Sequence, residues 1–508
     1  MIIIIDCGSQ LTMNIARRVR ELGVFCEIYP FDTPVKKVKE KKPEGIILSG
    51  GSGSVNQKDA PLYDKKMLDL SVPMLGICFG MQSMSMYLGG EVRYGEIREY
   101  GRSELNITDR DNPLFKGVKD KTIVWMSHGD TVVKIPDGFK AAAKTHNVEN
   151  ASVWNKEKQV FAVQFHPEVD HTQEGRKILG NFLDICGCRR DWKMQDFINS
   201  SVKKIRETAG GGVVIGGVSG GVDSTVASAL MFKAIGKKFR PIFINNGLIR
   251  LNEAEEVRKM FMAQFDHEPI YNDAGEKFIK ELKGVTDPEH KRKIIGRVFI
   301  EVFTEEAKKQ SDAKFLMQGT LYPDVVESKG PFGPTSTIKS HHNVGGLPKK
   351  MGLGLIEPLR FLFKDEVRKA GEILGLPKEL IWRHPFPGPG LGVRVIGEIT
   401  KQKLDILRKA DDIFIKALKE SGQYHKVWQA FAVFLPVKTV GVMGDERTYE
   451  NVIALRAITS NDGMTADWAK LPYDVLEKIS CRIINEVKGV NRVVYDISQK
   501  PPATVEWE

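Results

Sequence analysis

Val213-Val214-Ile215-Gly216-Gly217-Val218-Ser219-Gly220-Gly221-Val222-Asp223-Ser224-Thr225 decides the fold class. Val213 to Gly217 is apolar and β-branched and reads as a buried strand. A glycine-rich turn follows, and a helix is predicted from about Asp223 to Ile235. Strand, tight turn and helix form the repeating unit of a parallel α/β sheet. Working outward, Pro241–Ile244 is the next strand and Glu253–Gln264 the next helix, and the pattern runs to about Leu380. Upstream, Gly210-Gly211-Gly212 breaks a helix predicted over Trp192–Glu207.

The same alternation occupies the beginning of the chain. Strands are predicted at Ile2–Ile5, Val24–Tyr29, Gly45–Leu48, Pro73–Ile77 and Val160–Phe165. Helices are predicted at Ser9–Leu22, Phe79–Leu88 and Gly175–Ile185. Around Cys186 to Asp191 the chain reads as a linker, with Cys186 and Cys188 as structural thiols. Downstream, the Pro/Gly run from His384 to Gly392 suits neither helix nor central strand and marks a boundary or a rigid loop. The last segment mixes a helix (Lys401–Glu420) with strand-like runs (Ala430–Leu435, Val437–Met443, Arg492–Ile497). The expected architecture is therefore α/β: two doubly wound parallel-sheet domains, residues 1–190 and 191–384, plus a smaller C-terminal α+β domain, residues 385–508.

Bulk properties agree. A chain of 508 residues fits three or four domains at about 150 residues each. No stretch reaches the roughly 18 apolar residues of a membrane span. Six cysteines without framework spacing suit a reducing, cytoplasmic compartment. The net charge of +10 is spread along the chain, and aromatic residues are 8% without a stacking pattern, so no nucleic-acid partner is expected.

Cys78 stands in Gly76-Ile77-Cys78-Phe79-Gly80-Met81-Gln82, at a predicted strand-to-helix turn. That is the placement of a nucleophile elbow, where a helix N-terminus favours an adjacent anion. A lone cysteine is more often a small core residue, which suits Cys7 and Cys26. Gln164-Phe165-His166-Pro167-Glu168 lifts Cys78 above that reading. His166 and Glu168, two apart at a strand end, point the same way and supply a base and its orienting carboxylate.

With Leu48-Ser49-Gly50-Gly51 and Ser127-His128-Gly129-Asp130, these motifs resemble the class I glutamine amidotransferases over about the first 190 residues. The resemblance implies that Cys78 attacks the glutamine amide and that N–H groups near Gly51 and Phe79 form the oxyanion hole. It also implies that Gln82 and a loop of Ser127, His128, Gly129 and Asp130 hold the glutamine. Ser52 replaces the family's usual proline after the glycine pair, which implies a looser oxyanion loop.

Ser219, Gly220, Gly221, Val222, Asp223, Ser224 and Thr225 lack the Gly-Lys-Ser/Thr ending of a Walker loop. They resemble the pyrophosphate loop of the N-type ATP pyrophosphatases, which implies ATP binding with Mg²⁺. Asp223 is read as a helix N-cap and, by the resemblance, as a metal-side residue. Asp324 is read as a second metal-facing residue or a turn residue. Lys339, His341 and His342, after a Gly/Pro/Ser/Thr-rich stretch, look like a lid. Lys364 is read as added positive charge for ATP or as a solvated helix start.

Both halves in this order, with Arg383 to Leu391 and Lys500 to Glu508, resemble the glutamine-hydrolysing GMP synthase family over essentially the whole chain. The resemblance implies amination of XMP to GMP through an adenylyl-XMP intermediate, with glutamine, ATP and XMP as substrates. It places Arg383, Pro385, Gln429, Lys500, Thr504, Val505 and Glu506 at XMP and makes the third segment a homodimerisation domain. A glutamine-dependent NAD synthetase is the nearest rival. It is disfavoured because such enzymes usually carry a nitrilase-type glutaminase.

Overall fold

In the computed structural model, residues 1–327, 352–443, 445–460 and 465–508 are described. The chain forms two compact units, one of Met1–Phe197 with the described residues 323–327, the other of Ile198–Tyr322 and the described chain from residue 352 onward.

The first unit carries a nine-stranded sheet: β1 (Ile2–Cys7), β2 (Cys26–Pro30), β3 (Gly45–Gly51), β4 (Met74–Ile77), β5 (Glu91–Ile107), β6 (Lys121–Lys134), β7 (Lys140–Lys144), β8 (Ser152–Asn155) and β9 (Val160–Val163). Their order is β2-β1-β3-β4-β9-β8-β7-β5-β6. The half from β2 to β9 is parallel. From β9 to β6 every pairing is antiparallel. That second half, and the long β5–β6 hairpin above all, was not among the expected strands. The parallel strands are buried on both faces, as the unbroken Ile2–Ile5 run requires, and pack with Phe79, Met81 and Met84 of helix Phe79–Tyr87.

In the second unit, β10 (Val213–Gly217), β11 (Phe239–Asn245), β12 (Ile270–Asp273), β13 (Ala313–Met317) and β14 (Gly354–Ile356) form a parallel sheet ordered β12-β11-β10-β13-β14. The strand order reverses beside β10, so the loop after β10 lies at the switch point where such sheets bind ligands. A second sheet holds β15 (Gln429–Met443), β16 (Glu446–Thr459), β17 (Asp467–Trp468) and β18 (Val490–Tyr495). The two strand-like runs expected at 430–435 and 437–443 are one strand with an irregularity between Leu435 and Lys438. One apolar cluster reaches from Ile215 and Leu316 through Leu391 and Val395 to Ile453 and Ile479. The two sheets of this unit thus share a core, joined by the chain after the Pro/Gly run.

Candidate active site

Cys78 links β4 to helix Phe79–Tyr87 with φ +52° and ψ −106°. A non-glycine residue in so sparse a region costs on the order of 1–3 kcal/mol and persists only where its surroundings enforce it. Here Cys78 N–H donates to Val163 O at 2.8 Å and Gln82 N–H to Cys78 O at 3.1 Å, fixing the turn from both sides. The thiol donates to Ser127 O at 3.7 Å. By contrast Cys7 is a core thiol, pushed up by complete burial and by Asp6.

His166 and Glu168 are buried together, with Nδ1 2.7 Å from Oε1. The carboxylate only accepts, so Nδ1 carries the proton and Nε2 is left for chemistry. Burial works against a charged ring. The Glu168 charge and the contact with Cys78 overcome it and hold His166 well above the ordinary imidazole value. The His166 backbone is fixed by Trp125 O at 3.0 Å and by Thr172 Oγ1, which donates to His166 O at 2.6 Å.

Gly51 ends β3 against this site. A Cβ there would lie 2.7 Å from Phe79 Cγ and 2.8 Å from Cys7 O, so only glycine lets the two segments approach. Ser127 to Asp130 do not form the expected loop; they lie on β6. Alternation turns His128 and Asp130 inward. Gln82 Nε2 donates to Asp130 O at 2.8 Å. His128 Nδ1 faces the same carbonyl at 2.9 Å, and its Nε2 lies 3.7 Å from Glu99 Oε2. Glu99 also accepts from Thr145 Oγ1 and Asn147 Nδ2, each at 3.0 Å. Burial raises the Glu99 carboxyl, yet the neighbouring His128 ring and the hydrogen bonds from Thr145 and Asn147 bring it below its usual value. Asp130 Oδ2 is buried without a hydrogen-bond partner among the described residues. Glu99, Thr145 and Asn147 carry no motif and were invisible in the sequence.

The loop after β10 turns at Gly220, with φ +71°. A Cβ there would stand 2.4 Å from Val257 Cγ2. Ser219 N–H donates to Ser224 Oγ at 3.2 Å, and Thr225 Oγ1 donates to Gly221 O at 2.9 Å. The helix runs Val222–Ile235 with Gly221 as its N-cap, so Asp223 is not the cap but sits in the first turn. Asp223 Oδ2 lies 2.5 Å from Lys364 Nζ, and its Oδ1 is buried without a hydrogen-bond partner among the described residues. Lys364 opens helix Lys364–Ile373 and sends its charge to the loop. Arg383 Nη1 donates to Gly220 O at 3.0 Å, and Nη2 lies 2.6 Å from Glu253 Oε1. Asp324 lies on helix Tyr322–Glu327. No group of three or more His, Cys, Asp or Glu gathers for a metal among the described residues. A single orphaned carboxylate oxygen at a phosphate-type loop nevertheless suits Mg²⁺, which takes one or two carboxylates and completes its shell with phosphate and water. Lys339, His341 and His342 fall outside the described residues.

The tail is tied down by arginines that the sequence did not single out. Arg394 is fully buried, grips Glu506 with two bonds of 3.0 and 2.9 Å, and lies over Phe431. Gln429 Nε2 donates to the same carboxylate at 2.8 Å. Arg456 donates to Val505 O and Thr504 O, each at 2.8 Å. Lys500 exchanges backbone bonds with Ala466, at 2.8 and 3.0 Å. Buried Lys291 pairs with Glu508. Pro385 is half-buried between His384, whose ring stacks on Tyr424, and Phe386. Phe386 lies beneath both Arg250 and Arg394. Arg250 Nη2 and Arg394 Nη1 are buried without hydrogen-bond partners among the described residues. Burial lowers the Arg250 value, Asp411 opposes this, and Arg394 and Arg383 lower it further. Two such orphaned donors beside one another form an anion-seeking cluster. Thr504, Glu506 and Trp507 also line a cavity of about 540 Å³ with Asp496 and Ser498.

The family model described as glutamine amidotransferase class-I matches residues 3–186. A NAD synthase model matches residues 192–292, and a GMP synthase C terminal domain model matches residues 416–507. A GMP synthase (glutamine-hydrolyzing) of a Nitratiruptor species is 56% identical over 511 residues, covering 100% of this chain and 99% of the relative. Enzymes of the same description from Brachyspira hyodysenteriae and Carboxydothermus hydrogenoformans are 55% and 57% identical over 508 residues, with the same coverage.

Proposed function

The chain belongs to the glutamine-hydrolysing GMP synthase family, and from this we propose how its own residues divide the work. The reaction is ATP-dependent amination of XMP to GMP with ammonia from glutamine, through adenylyl-XMP, releasing AMP, pyrophosphate and glutamate. We assign the work to three segments, 1–190, 191–384 and 385–508.

In the first, Cys78 attacks the glutamine amide carbon. His166 takes the thiol proton and delivers it to the departing ammonia, while Glu168 stabilises the charged ring. N–H groups at Gly51 and Phe79 receive the oxyanion. His166 then draws a proton from water, which cleaves the thioester to glutamate. Gln82 and Ser127 to Asp130 hold the substrate, and the partnerless Asp130 carboxylate oxygen suits its α-ammonium group. The observation that carries this assignment is the enforced backbone of Cys78 beside the His166–Glu168 pair.

In the second, Ser219 to Thr225 cradle the ATP phosphates through backbone N–H groups and hydroxyls. Asp223 would hold Mg²⁺, which when bound neutralises phosphate charge. Lys364 adds positive charge through Asp223. The XMP oxygen displaces pyrophosphate from ATP, ammonia attacks the activated carbon, and AMP leaves. Arg383, Pro385, Gln429, Lys500, Thr504, Val505 and Glu506 surround XMP, and Arg250 and Arg394 supply charge for its phosphate. The exposed apolar residues Val440, Val442 and Tyr449 on the β15–β16 ribbon support a homodimer through the third segment. Six cysteines without disulfide-framework spacing support a cytoplasmic enzyme.

The test is nucleotide chromatography of the protein given XMP, ATP, Mg²⁺ and glutamine. Equal GMP and AMP are expected. AMP without GMP would remove the XMP assignment.

A further inference from the structure

Gln164 opens the motif that supplies His166 and Glu168, yet the scheme above gives it no part. Its side chain is fully buried. One end lies 3.6 Å from Cys78 Sγ, and the other lies 3.3 Å from the Gln82 amide.

Connectivity fixes which end is which. The Asp130 backbone carbonyl can only accept, so the Gln82 atom 2.8 Å from it is the NH₂. That same NH₂ faces Gln164, whose near atom must be the oxygen. The end of Gln164 against Cys78 is therefore the NH₂, a donor. The resting thiol sends its own hydrogen to Ser127 O, leaving a sulfur lone pair for Gln164.

We propose that Gln164 is a catalytic residue of the glutaminase site, donating an amide N–H to the Cys78 sulfur. The donor favours sulfur whenever it carries negative charge. In the first step the S–C bond forms, the C–N bond breaks, and the thiol proton leaves on ammonia through His166. In the second, water oxygen bonds the carbonyl carbon, the C–S bond breaks, and the electron pair returns to sulfur. Gln164 assists sulfur as nucleophile in the first and as leaving group in the second. The relay Asp130–Gln82–Gln164–Cys78 also makes the strand that holds glutamine set the direction of the donor. The role rests on Cys78 being the nucleophile.

The test uses the full chain with Gln164→Met, which has no donor, and Gln164→Glu, which keeps the shape but replaces the donor by a carboxylate. Glutamine hydrolysis with XMP and ATP present should lose about tenfold to a hundredfold in kcat. KM for glutamine should stay within about twofold. Iodoacetamide labelling of Cys78, followed by peptide mass spectrometry, should shift to higher pH by about one unit, further in Gln164→Glu. A buried amide that only fills space would leave that profile in place. Wild-type kcat with an unmoved profile in both variants, while Cys78→Ala abolishes glutamine use, overturns the Gln164 role alone. Retained glutamine use in Cys78→Ala would overturn the nucleophile assignment beneath it. Ammonia-driven synthesis reports that each variant is folded.

Discussion

His166 Nδ1 stands 2.7 Å from Glu168 Oε1, with both side chains buried. In the proposed scheme the pair keeps the imidazolium available during proton transfer, because Glu168 and the contact with Cys78 together outweigh the burial that disfavours charge. Glu168→Gln should cut glutamine-driven kcat/KM by about 10² to 10⁴, by analogy with triads that lose their carboxylate. Ammonia-driven synthesis should persist, and a parallel loss would contradict the role.

The same pair gives a pH signature. The folded-state value of His166 is raised, so the stability it contributes is complete below the unfolded value near 6.5 and is lost as pH rises through the raised value. The difference in Tm between wild type and Glu168→Gln should be largest near pH 6 and shrink above it. A difference that grows with pH would contradict the charged pairing.

Cys78→Ala should lose glutamine-driven synthesis and keep ammonia-driven synthesis, since Ser219 to Thr225, the proposed pyrophosphate loop, belong to the other compact unit. Loss of both in a folded protein would remove the two-site account.

Asp223→Ala should abolish synthesis with either nitrogen source, because it removes the orphaned carboxylate and the partner of Lys364. Lys364→Met should raise KM for ATP and leave KM for XMP unchanged. Synthesis retained with ammonium in Asp223→Ala would refute the loop assignment.

Arg394→Ala would leave Glu506 in a largely buried place without its fork. Breaking a buried pair costs on the order of 3–5 kcal/mol. The variant should show a lower Tm and a raised KM for XMP, with KM for glutamine unchanged under the proposed division of sites. An unchanged KM for XMP would show that Glu506 is not a substrate contact.

Helices Gly175–Ile185 and Lys401–Glu420 and strand Val213–Gly217 stand where the sequence placed them. Apolar patterning and the glycine stop at Gly210 to Gly212 agreed locally; the cap at Thr400, which accepts from Lys403 N–H at 3.3 Å, is added by the structure. The β5–β6 hairpin was not legible, because Arg93, Arg102, Glu104 and Lys121 interrupt its apolar alternation. The Cys78 turn and the Ser219–Thr225 loop were legible as local structure because each sets contiguous residues at a strand-to-helix turn. Arg250, Arg394 and Arg456 were not. A lone arginine has no spacing to read, and Arg394 acquires its meaning only when the fold brings Glu506 to it from 112 residues away.

In the proposed reaction, nitrogen released at Cys78 becomes the amino group of GMP. Amide-¹⁵N glutamine, given with XMP, ATP and Mg²⁺, tests it by mass spectrometry of the product. GMP one mass unit heavier is expected in wild type, and none from glutamine in Cys78→Ala. Unlabelled GMP, or labelled GMP from Cys78→Ala, would contradict it.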